Sequence, residues 1–99
     1  RMSDGVRFAW DPTKNALNLK RYGISFVEAR TVFFDEAARV AGDPDHSDDE
    51  DRFVILGLSS KHRMLVVCHC YREDDEVIRL ISARKATSTE TAFYQRRKP

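Results

Sequence analysis

Three runs of strand-forming residues dominate the second half of the chain, and they constrain its fold more than any other feature. They cover residues 52–58, 64–72 and 76–82, and each is rich in Val, Ile and Leu. The segments between them, 59–63 and 73–75, have the length of hairpin loops. The sequence therefore predicts an antiparallel meander, with a weaker fourth strand near 38–41.

A helix is predicted before these strands, between two boundary signals. A short opening strand through Phe8 and Trp10 stops at Asp11-Pro12, which combines an N-cap acceptor with a residue suited to the first helical position. Gly23 fits the C-terminal end because glycine readily takes a positive φ. We therefore expect a helix over residues 12–22.

A second helix should begin almost at once. Ser25 and Glu28 have the spacing of a capping box, Ile24 is placed as a hydrophobic staple, and the helix should end by about Asp35. Two helices joined so closely form a tight hairpin. Apolar residues at helical spacing mark the expected core faces, which are Ala16, Leu17 and Leu19 on the first helix and Phe26, Ala29, Val32 and Phe33 on the second.

The chain ends in a third predicted helix. Thr87 and Glu90 repeat the capping-box spacing, and the helix would carry Phe93 and Tyr94 toward the basic tail 96–98. The complete order is strand, helix, helix, meander and helix, without repeats, linkers or low-complexity segments. We therefore predict a single α+β domain over residues 1–99.

The first residues and the longest apolar runs bear on location. Arg1 precedes what looks like the initiator Met2, and we interpret it as the remnant of a tag. No apolar run approaches the roughly 18 residues that span a bilayer, and no signal peptide is visible. We expect a soluble, cytoplasmic protein without a membrane partner.

Two cysteines flank a histidine in the second strand run. Alternation places Cys68 and Cys70 on one face of a strand, too close in sequence to form a comfortable disulfide. Cys-His-Cys resembles half of a zinc site, but the chain has no second cysteine pair, and His46 and His62 lack the usual ligand spacing. We expect two reduced core thiols, no structural metal and no cofactor.

The same alternation separates the two faces of the predicted sheet. Odd-numbered residues of the run 64–72, including His69 and Tyr71, share one face with Arg63. The even-numbered residues share the other face, which is more uniformly apolar. We expect the helical hairpin to cover this apolar face. The first face would then be partly open and would display His69, Tyr71 and, on the neighbouring strand, Arg79.

Charge is divided unevenly along the chain, although the net charge is only +1. Residues 1–51 hold seven Lys or Arg and eleven Asp or Glu, mostly in an acidic loop over 43–51, whereas residues 52–99 hold ten and five. Arg79, Arg84 and Lys85 set three cations near the end of an apolar strand. These residues could bind a nucleic-acid backbone, or they could pair with the chain's own carboxylates.

A sheet face with Arg, His and Tyr could cleave RNA without a metal. That reaction needs a base for the 2′-hydroxyl, cations for the charge on the phosphorane, and an acid for the leaving 5′-oxygen. His46 and His69 are the candidates for proton transfer, and Tyr94 could offer a hydroxyl or stack a base. Each of these residues also has an ordinary structural interpretation.

The segments described above resemble the BrnT family, the toxins of bacterial BrnT/BrnA type II toxin-antitoxin modules. The resemblance covers nearly the whole chain, from Phe8 to Tyr94. It depends on a series of matching segments that keep the family's order and spacing. These are Trp10-Asp11-Pro12 with Lys14 and Asn18, 20–26 with Glu28-Ala29, Asp45-His46-Ser47, 50–52, Gly57-Leu58-Ser59, 78–87 and Glu90.

This resemblance implies a RelE-like fold, in which a small antiparallel sheet has an N-terminal helical hairpin packed on one face and a C-terminal helix. It also implies an endoribonuclease toxin that cuts RNA and arrests translation and growth, and we expect this cleavage to be metal-independent. The implied partner is a BrnA-like ribbon-helix-helix antitoxin. We expect a heterotetramer that represses its own operon by binding operator DNA through the antitoxin.

Eight residues fall on positions that are polar or basic in the family's pattern. We expect Arg79 and Arg84 to bind or stabilise the scissile phosphate, and His46 or Tyr94 to assist proton transfer. The other four are expected to bind RNA phosphates, namely Lys85, Arg52, Lys20 and Lys14. The family commonly has His where Tyr22 stands. An alternative is therefore a degenerate, non-catalytic toxin that acts only as an antitoxin-binding co-repressor.

Overall fold

The computed structural model describes residues 6–46, 48 and 51–96. Residue 1 and the end of the basic tail, at 97–98, lie outside the described residues. Among the described helices, none is long and apolar enough to cross a membrane. The elements, in chain order, are β1 (Arg7–Ala9), α1 (Pro12–Tyr22), α2 (Phe26–Ala29), a 3₁₀ helix (Arg30–Phe34), β2 (Arg39–Gly42), a 3₁₀ turn (Pro44–His46), β3 (Phe53–Leu58), β4 (Met64–Arg72), β5 (Val77–Lys85) and α3 (Ser88–Arg96).

The strands form one five-stranded sheet with the order β1-β5-β4-β3-β2. Strands β2 to β5 pair antiparallel, which confirms the predicted meander. Strand β1 departs from the prediction because it joins β5 in parallel, with Arg7 opposite Val77. This pairing links residues 70 positions apart, so no local turn signal in the sequence could have revealed it.

The predicted ends of α1 and the start of α2 are confirmed. Asp11 caps α1 by accepting a 2.9 Å hydrogen bond from the Thr13 N–H, and Gly23 ends the helix with φ +74°. Ser25 caps α2 by accepting from the Glu28 N–H at 3.1 Å. Residues 23–25 alone therefore connect the two helices.

The predicted apolar side of α1 was wrong. Leu17 and Leu19 are 60% and 51% exposed, whereas the buried residue of the helix is Asn18. The Asn18 amide reaches β5, where its Nδ2 donates to the Ala83 carbonyl at 2.9 Å and its Oδ1 accepts from the Ala83 N–H at 3.0 Å. Strand β1 pairs only with residues 77–79 of β5, so α1 covers part of the remaining β5 edge with a polar side chain.

The predicted assignment of the two sheet faces was also wrong. Phe26, Val32 and Phe33, from α2 and the 3₁₀ helix, pack on the face that carries Leu65 and Val67. His69 lies on this covered face, fully buried with its ring against Phe33, and burial lowers its pKa. The even-numbered face of β4 instead meets α3, through Tyr94, Leu56 and Val66. Both faces of β4 are apolar enough to be core, so hydrophobicity alone could not choose between them.

A β-bulge in β5 changes which residues share a face. Cys68 pairs with Ser82, but the next residue, His69, pairs with Leu80, which leaves Ile81 as the extra residue. Residues directly opposite each other in a sheet point to the same side. Arg79 and Arg84, five positions apart, therefore both share the even-numbered face of β4, because they pair with Cys70 and Val66. Without the bulge they would point to opposite faces.

Candidate functional site

The sheet face opposite α2 carries a concentration of arginines from β1, β4 and β5. The register places Arg7 and Arg72 beside Val77, alternation along β5 adds Arg79, and the bulge adds Arg84. We call these four residues the arginine face. The sequence predicted a functional face with Arg79, His69 and Tyr71. The structure keeps Arg79 but places His69 on the other side, where Tyr71 is half-buried against it.

Arg79 lies at an open cavity of about 530 Å³, lined also by Ala9, Arg72, Glu73 and Val77. Its side chain is half-buried in the strand. The nearby Glu73 pairs with Arg7 at 3.0 Å, and no described residue forms an ion pair with Arg79. Arg79 therefore presents a cation that is available to an anionic ligand.

Arg84 is fixed at the junction between β5 and α3. Its two Nη atoms donate to the two Glu90 oxygens at 2.9 and 3.0 Å, a bidentate ion pair. Glu90 also caps α3 by accepting from the Thr87 N–H, as the predicted capping box requires. The hydrogen bonds from Arg84 are the largest influence that lowers the pKa of Glu90 to about 2. Arg84 thus pairs with a carboxylate of its own chain, one of the two alternatives that the sequence left open. Its side chain nevertheless remains 41% exposed.

His46 lies in the 3₁₀ turn after β2, and a buried carboxylate holds its ring. Asp43 Oδ2 is 3.1 Å from His46 Nδ1, while Nε2 has no hydrogen-bond partner among the described residues. The His46 side chain is 48% exposed, whereas that of Asp43 is only 6% exposed. A histidine with one nitrogen on a carboxylate and the other toward solvent is an arrangement suited to proton transfer.

Asp43 also gathers Cys68 and Arg52. The Cys68 thiol donates to Asp43 Oδ2 at 3.3 Å, and Arg52 Nε lies 3.8 Å from the same oxygen. Burial is the largest of the effects that raise the pKa of Cys68 to about 11, so this side chain is a protonated thiol at neutral pH. Burial by itself raises the pKa of Asp43, but hydrogen bonds from Cys68, the Asp45 N–H and His46 outweigh it, and the pKa is lowered.

The His46 turn and the end of α1 both influence the charge on Arg84. Hydrogen bonding to Glu90 is the main reason why the pKa of Arg84 is raised, and smaller electrostatic contributions come from Asp45 and Tyr22. Asp45 is the neighbour of His46 in the turn, and Tyr22 is the last residue of α1. Tyr22 is also a position where the family that the sequence resembles commonly has His.

The remaining predicted site residues lie apart from this group. Tyr94 is buried, and its hydroxyl donates to Asp35 Oδ2 at 2.6 Å. Lys85 ends β5 opposite Leu65, on the face covered by the helices, and its side chain is exposed. Lys14 and Lys20 are exposed on α1. The structure does not bring these lysines onto the arginine face, and their contact with RNA stays a prediction.

Sequence reasoning missed two participants in this arrangement. Asp43 was counted only as part of a solvated acidic loop, although it is buried. Glu90 was recognised only as a helix cap, and its second role on Arg84 depends on the extension of β5 to Lys85, three residues beyond the predicted end. The Asp43 signal was present in the sequence, because a carboxylate three residues before a histidine in a Pro-containing turn can fold back onto the ring.

Comparisons with known proteins agree with the fold. Residues 10–90 match the family described as the ribonuclease toxin BrnT of the type II toxin-antitoxin system. The 1.1 Å crystal structure of the Brucella abortus ribonuclease toxin, BrnT, superposes with a TM-score of 0.66 at 20% sequence identity. The alignment covers 84% of the present chain and 99% of the Brucella protein. No curated protein sequence matches the chain.

Proposed function

Since the chain belongs to the BrnT family of type II toxin-antitoxin ribonuclease toxins, we propose that it is a metal-independent endoribonuclease that binds RNA along its arginine face. The observation that carries this proposal is that Asp43, which holds the half-exposed His46, contacts Cys68 on the face of β4 that Arg79 and Arg84 share. On a surface whose charges were unrelated to each other, a buried carboxylate such as Asp43 would not hold the ring of His46.

Arg79 and Arg84 serve different phosphates of the bound strand in this proposal. Five residues of β-strand separate their Cα atoms by roughly 13–16 Å. The ion pair with Glu90 holds Arg84 toward α3, away from Arg79. The two guanidinium groups therefore do not converge on one phosphate. In this proposal Arg84 faces the scissile phosphate, and Arg79 with its cavity holds a neighbouring phosphate.

His46 supplies the proton transfer. Its Nε2 accepts the proton of the RNA 2′-hydroxyl, and the resulting 2′-oxygen attacks the adjacent phosphorus. The bond from phosphorus to the 5′-oxygen then breaks, that oxygen takes a proton from water, and the His46 ring returns its own proton to the solvent. This leaves a 2′,3′-cyclic phosphate and a free 5′-hydroxyl. Arg84 stabilises the negative charge that builds on the phosphorane oxygens.

The decisive experiment compares purified variants on a defined RNA. His46→Gln should reduce the cleavage rate by about 10²- to 10⁴-fold, the usual contribution of a general acid or base. Arg79→Ala should mainly raise KM. Lys61→Ala, an exposed cation in the β3–β4 loop, is the matched control and should behave as wild type. Cleavage should persist in excess chelator, and a His46→Gln protein with full activity would refute the proposed role.

The partner side of the proposal also follows from family membership. A type II toxin has an antitoxin, and we propose that here it is a BrnA-like ribbon-helix-helix protein. The two would form a heterotetramer that binds operator DNA through the antitoxin and represses its own operon. Co-purification with the product of an adjacent small gene, followed by operator binding of the complex, tests this assignment.

The position of Tyr22 favours one alternative function. Tyr22 makes a small electrostatic contribution at Arg84, and the family commonly has His at this position. If that histidine took part in chemistry, the protein would be a non-catalytic co-repressor. Tyr22→His decides between the two functions. An inactive wild type with an active Tyr22→His variant supports the alternative, whereas an active wild type excludes it.

A further inference from the structure

We propose that Asp43 is the positioning residue of His46, holding the imidazole in the tautomer that carries hydrogen on Nδ1 and leaving Nε2 to exchange a proton with RNA. The inference rests on the proposed ribonuclease function and adds a residue that neither the sequence pattern nor the fold assigns to it. Asp43 itself does not touch the substrate, because its carboxylate lies beneath the turn.

The backbone around Asp43 is fixed at both ends. Its N–H donates to the Arg52 carbonyl at 3.1 Å, which continues the β2–β3 pairing by one residue. Its own carbonyl accepts from the His46 N–H at 3.1 Å, and its Oδ1 accepts from the Asp45 N–H at 3.0 Å. These bonds define the 3₁₀ turn, so the ring of His46 starts from a fixed point.

The second carboxylate oxygen of Asp43, Oδ2, is the one that contacts the His46 ring. Oδ1 alone is enough to cap the turn, yet Oδ2 faces His46 Nδ1 at 3.1 Å and the Cys68 thiol at 3.3 Å. A carboxylate that stays ionised can only accept hydrogen bonds, so Nδ1 must carry the hydrogen. The lone pair of the neutral ring is then on Nε2, the nitrogen with no partner among the described residues.

Arg52 lies close to this carboxylate as a counter-charge. Its guanidinium lies behind Asp43, with Nε 3.8 Å from Oδ2 and one Nη donating to Cys68 Sγ at 3.6 Å. The Nε atom is buried and has no hydrogen bond within the described part of the chain. Arg52 was predicted to contact RNA phosphate. Its location also fits a counter-charge for Asp43, and its contact with RNA stays a prediction.

The test begins on the unmodified protein and needs no variant to fold. Nitrogen NMR of ¹⁵N-histidine-labelled protein distinguishes a protonated from an unprotonated ring nitrogen. At a pH where the ring is neutral, His46 should show a protonated Nδ1 and an unprotonated Nε2. The opposite tautomer in the wild-type protein would overturn the inference.

Kinetic measurements then show how much the orientation of the His46 ring contributes to the cleavage rate. Asp43→Asn keeps the size of the side chain but removes its charge. It should lower kcat by about 10- to 100-fold with KM for RNA changed less than about twofold, because RNA binding is untouched while the reacting nitrogen is misplaced. Its His46 signals should become a mixture of the two tautomers. Asp48→Asn, which removes an exposed negative charge two residues after His46, is the control and should leave kcat within about threefold.

The outcomes separate this inference from the ribonuclease proposal. If His46→Gln is inactive but Asp43→Asn cleaves at the wild-type rate, the positioning role fails and the ribonuclease proposal stands. If His46→Gln is fully active, the proposed chemistry itself fails. If both substitutions act through one ring, the double variant should be no slower than His46→Gln alone, and a further loss would show that Asp43 acts elsewhere.

Discussion

The side-chain amide of Asn18 pairs with the backbone of Ala83 in the way a neighbouring strand would. One amide group both donates to the carbonyl and accepts from the N–H of the same residue, at 2.9 and 3.0 Å. The Asn18 Nδ2 donates in addition to the Ile24 carbonyl at 2.8 Å, which ties the turn after α1 to the sheet edge. Asn18, a polar residue, therefore attaches α1 to the sheet, a role that was predicted from the sequence for apolar residues of this helix.

Asn18→Leu should destabilise the protein by about 3 kcal/mol. The substitution leaves buried backbone groups of Ala83 and Ile24 without hydrogen-bond partners, and each such group costs roughly 1–3 kcal/mol. Denaturant unfolding measures the loss. Leu17→Ala, on the same helix at a 60% exposed position, should change the free energy of unfolding by less than about 0.5 kcal/mol. Equal effects of the two substitutions would contradict the interpretation of Asn18 as an edge partner.

Arg63→Ala should be among the most damaging substitutions outside the site. Glu28 is buried, and it accepts from Arg63 through both of its oxygens and from the Ser59 hydroxyl at 2.7 Å. Removing the guanidinium leaves an uncompensated buried charge, a loss of about 3–5 kcal/mol. Adding Glu28→Gln to that variant should recover part of the loss, because the charge is then gone. A double variant less stable than Arg63→Ala alone would argue against a charge-burial cause.

Loss of the ion pair between Glu90 and Arg84 should lower the free energy of unfolding only below about pH 4.5. Its folded-state pKa is lowered from 4.5 to about 2, so its pairing with Arg84 stabilises the fold above pH 4.5 and is lost as the pH falls toward 2. After discounting for solvent exposure, the pair contributes about 1 kcal/mol. The stability difference between wild type and Glu90→Gln should therefore be constant at neutral pH and shrink below pH 4.5. A difference that grew with acidity would have the wrong sign.

Tyr94→Phe distinguishes a structural from a catalytic hydroxyl. The hydroxyl donates to Asp35 at 2.6 Å in a buried setting, so its removal should lower the free energy of unfolding by about 1–2 kcal/mol. Because the group already has this partner, RNA cleavage should stay within about threefold of wild type. Thermal melting and the RNA assay, done on one preparation, give both answers. Unchanged stability with lost cleavage would restore the catalytic role predicted from the sequence.

The correctly predicted features depend on neighbours in sequence. Asp11, Gly23 and Ser25 set helix ends through contacts that reach at most four residues along the chain. Hairpin loops are equally local, which is why the meander could be recognised. Such contacts leave a signature in adjacent residue types, and the sequence therefore contains them directly.

The features that sequence missed depend on distant partners. Asn18 is buried because Ala83, 65 positions away, needs a partner at the sheet edge. The burial of His69 depends on Phe33, which only the packing of the 3₁₀ helix brings near. One unpaired residue, Ile81, decides whether Arg79 and Arg84 share a face. The alternation of residue types along a strand does not reveal a bulge until the register with the partner strand is known.

The position of β5 in the sheet also has a consequence for how the cell makes this protein. The last of the described strands to leave the ribosome lies between β1 and β4, so β1 has no partner until residues 77–85 have been translated. The same late strand brings Arg79 and Arg84, and the helix after it brings Glu90. A nascent or prematurely terminated chain thus lacks both the completed sheet and the cations of the site. The proposed site can therefore form only after translation has passed Glu90.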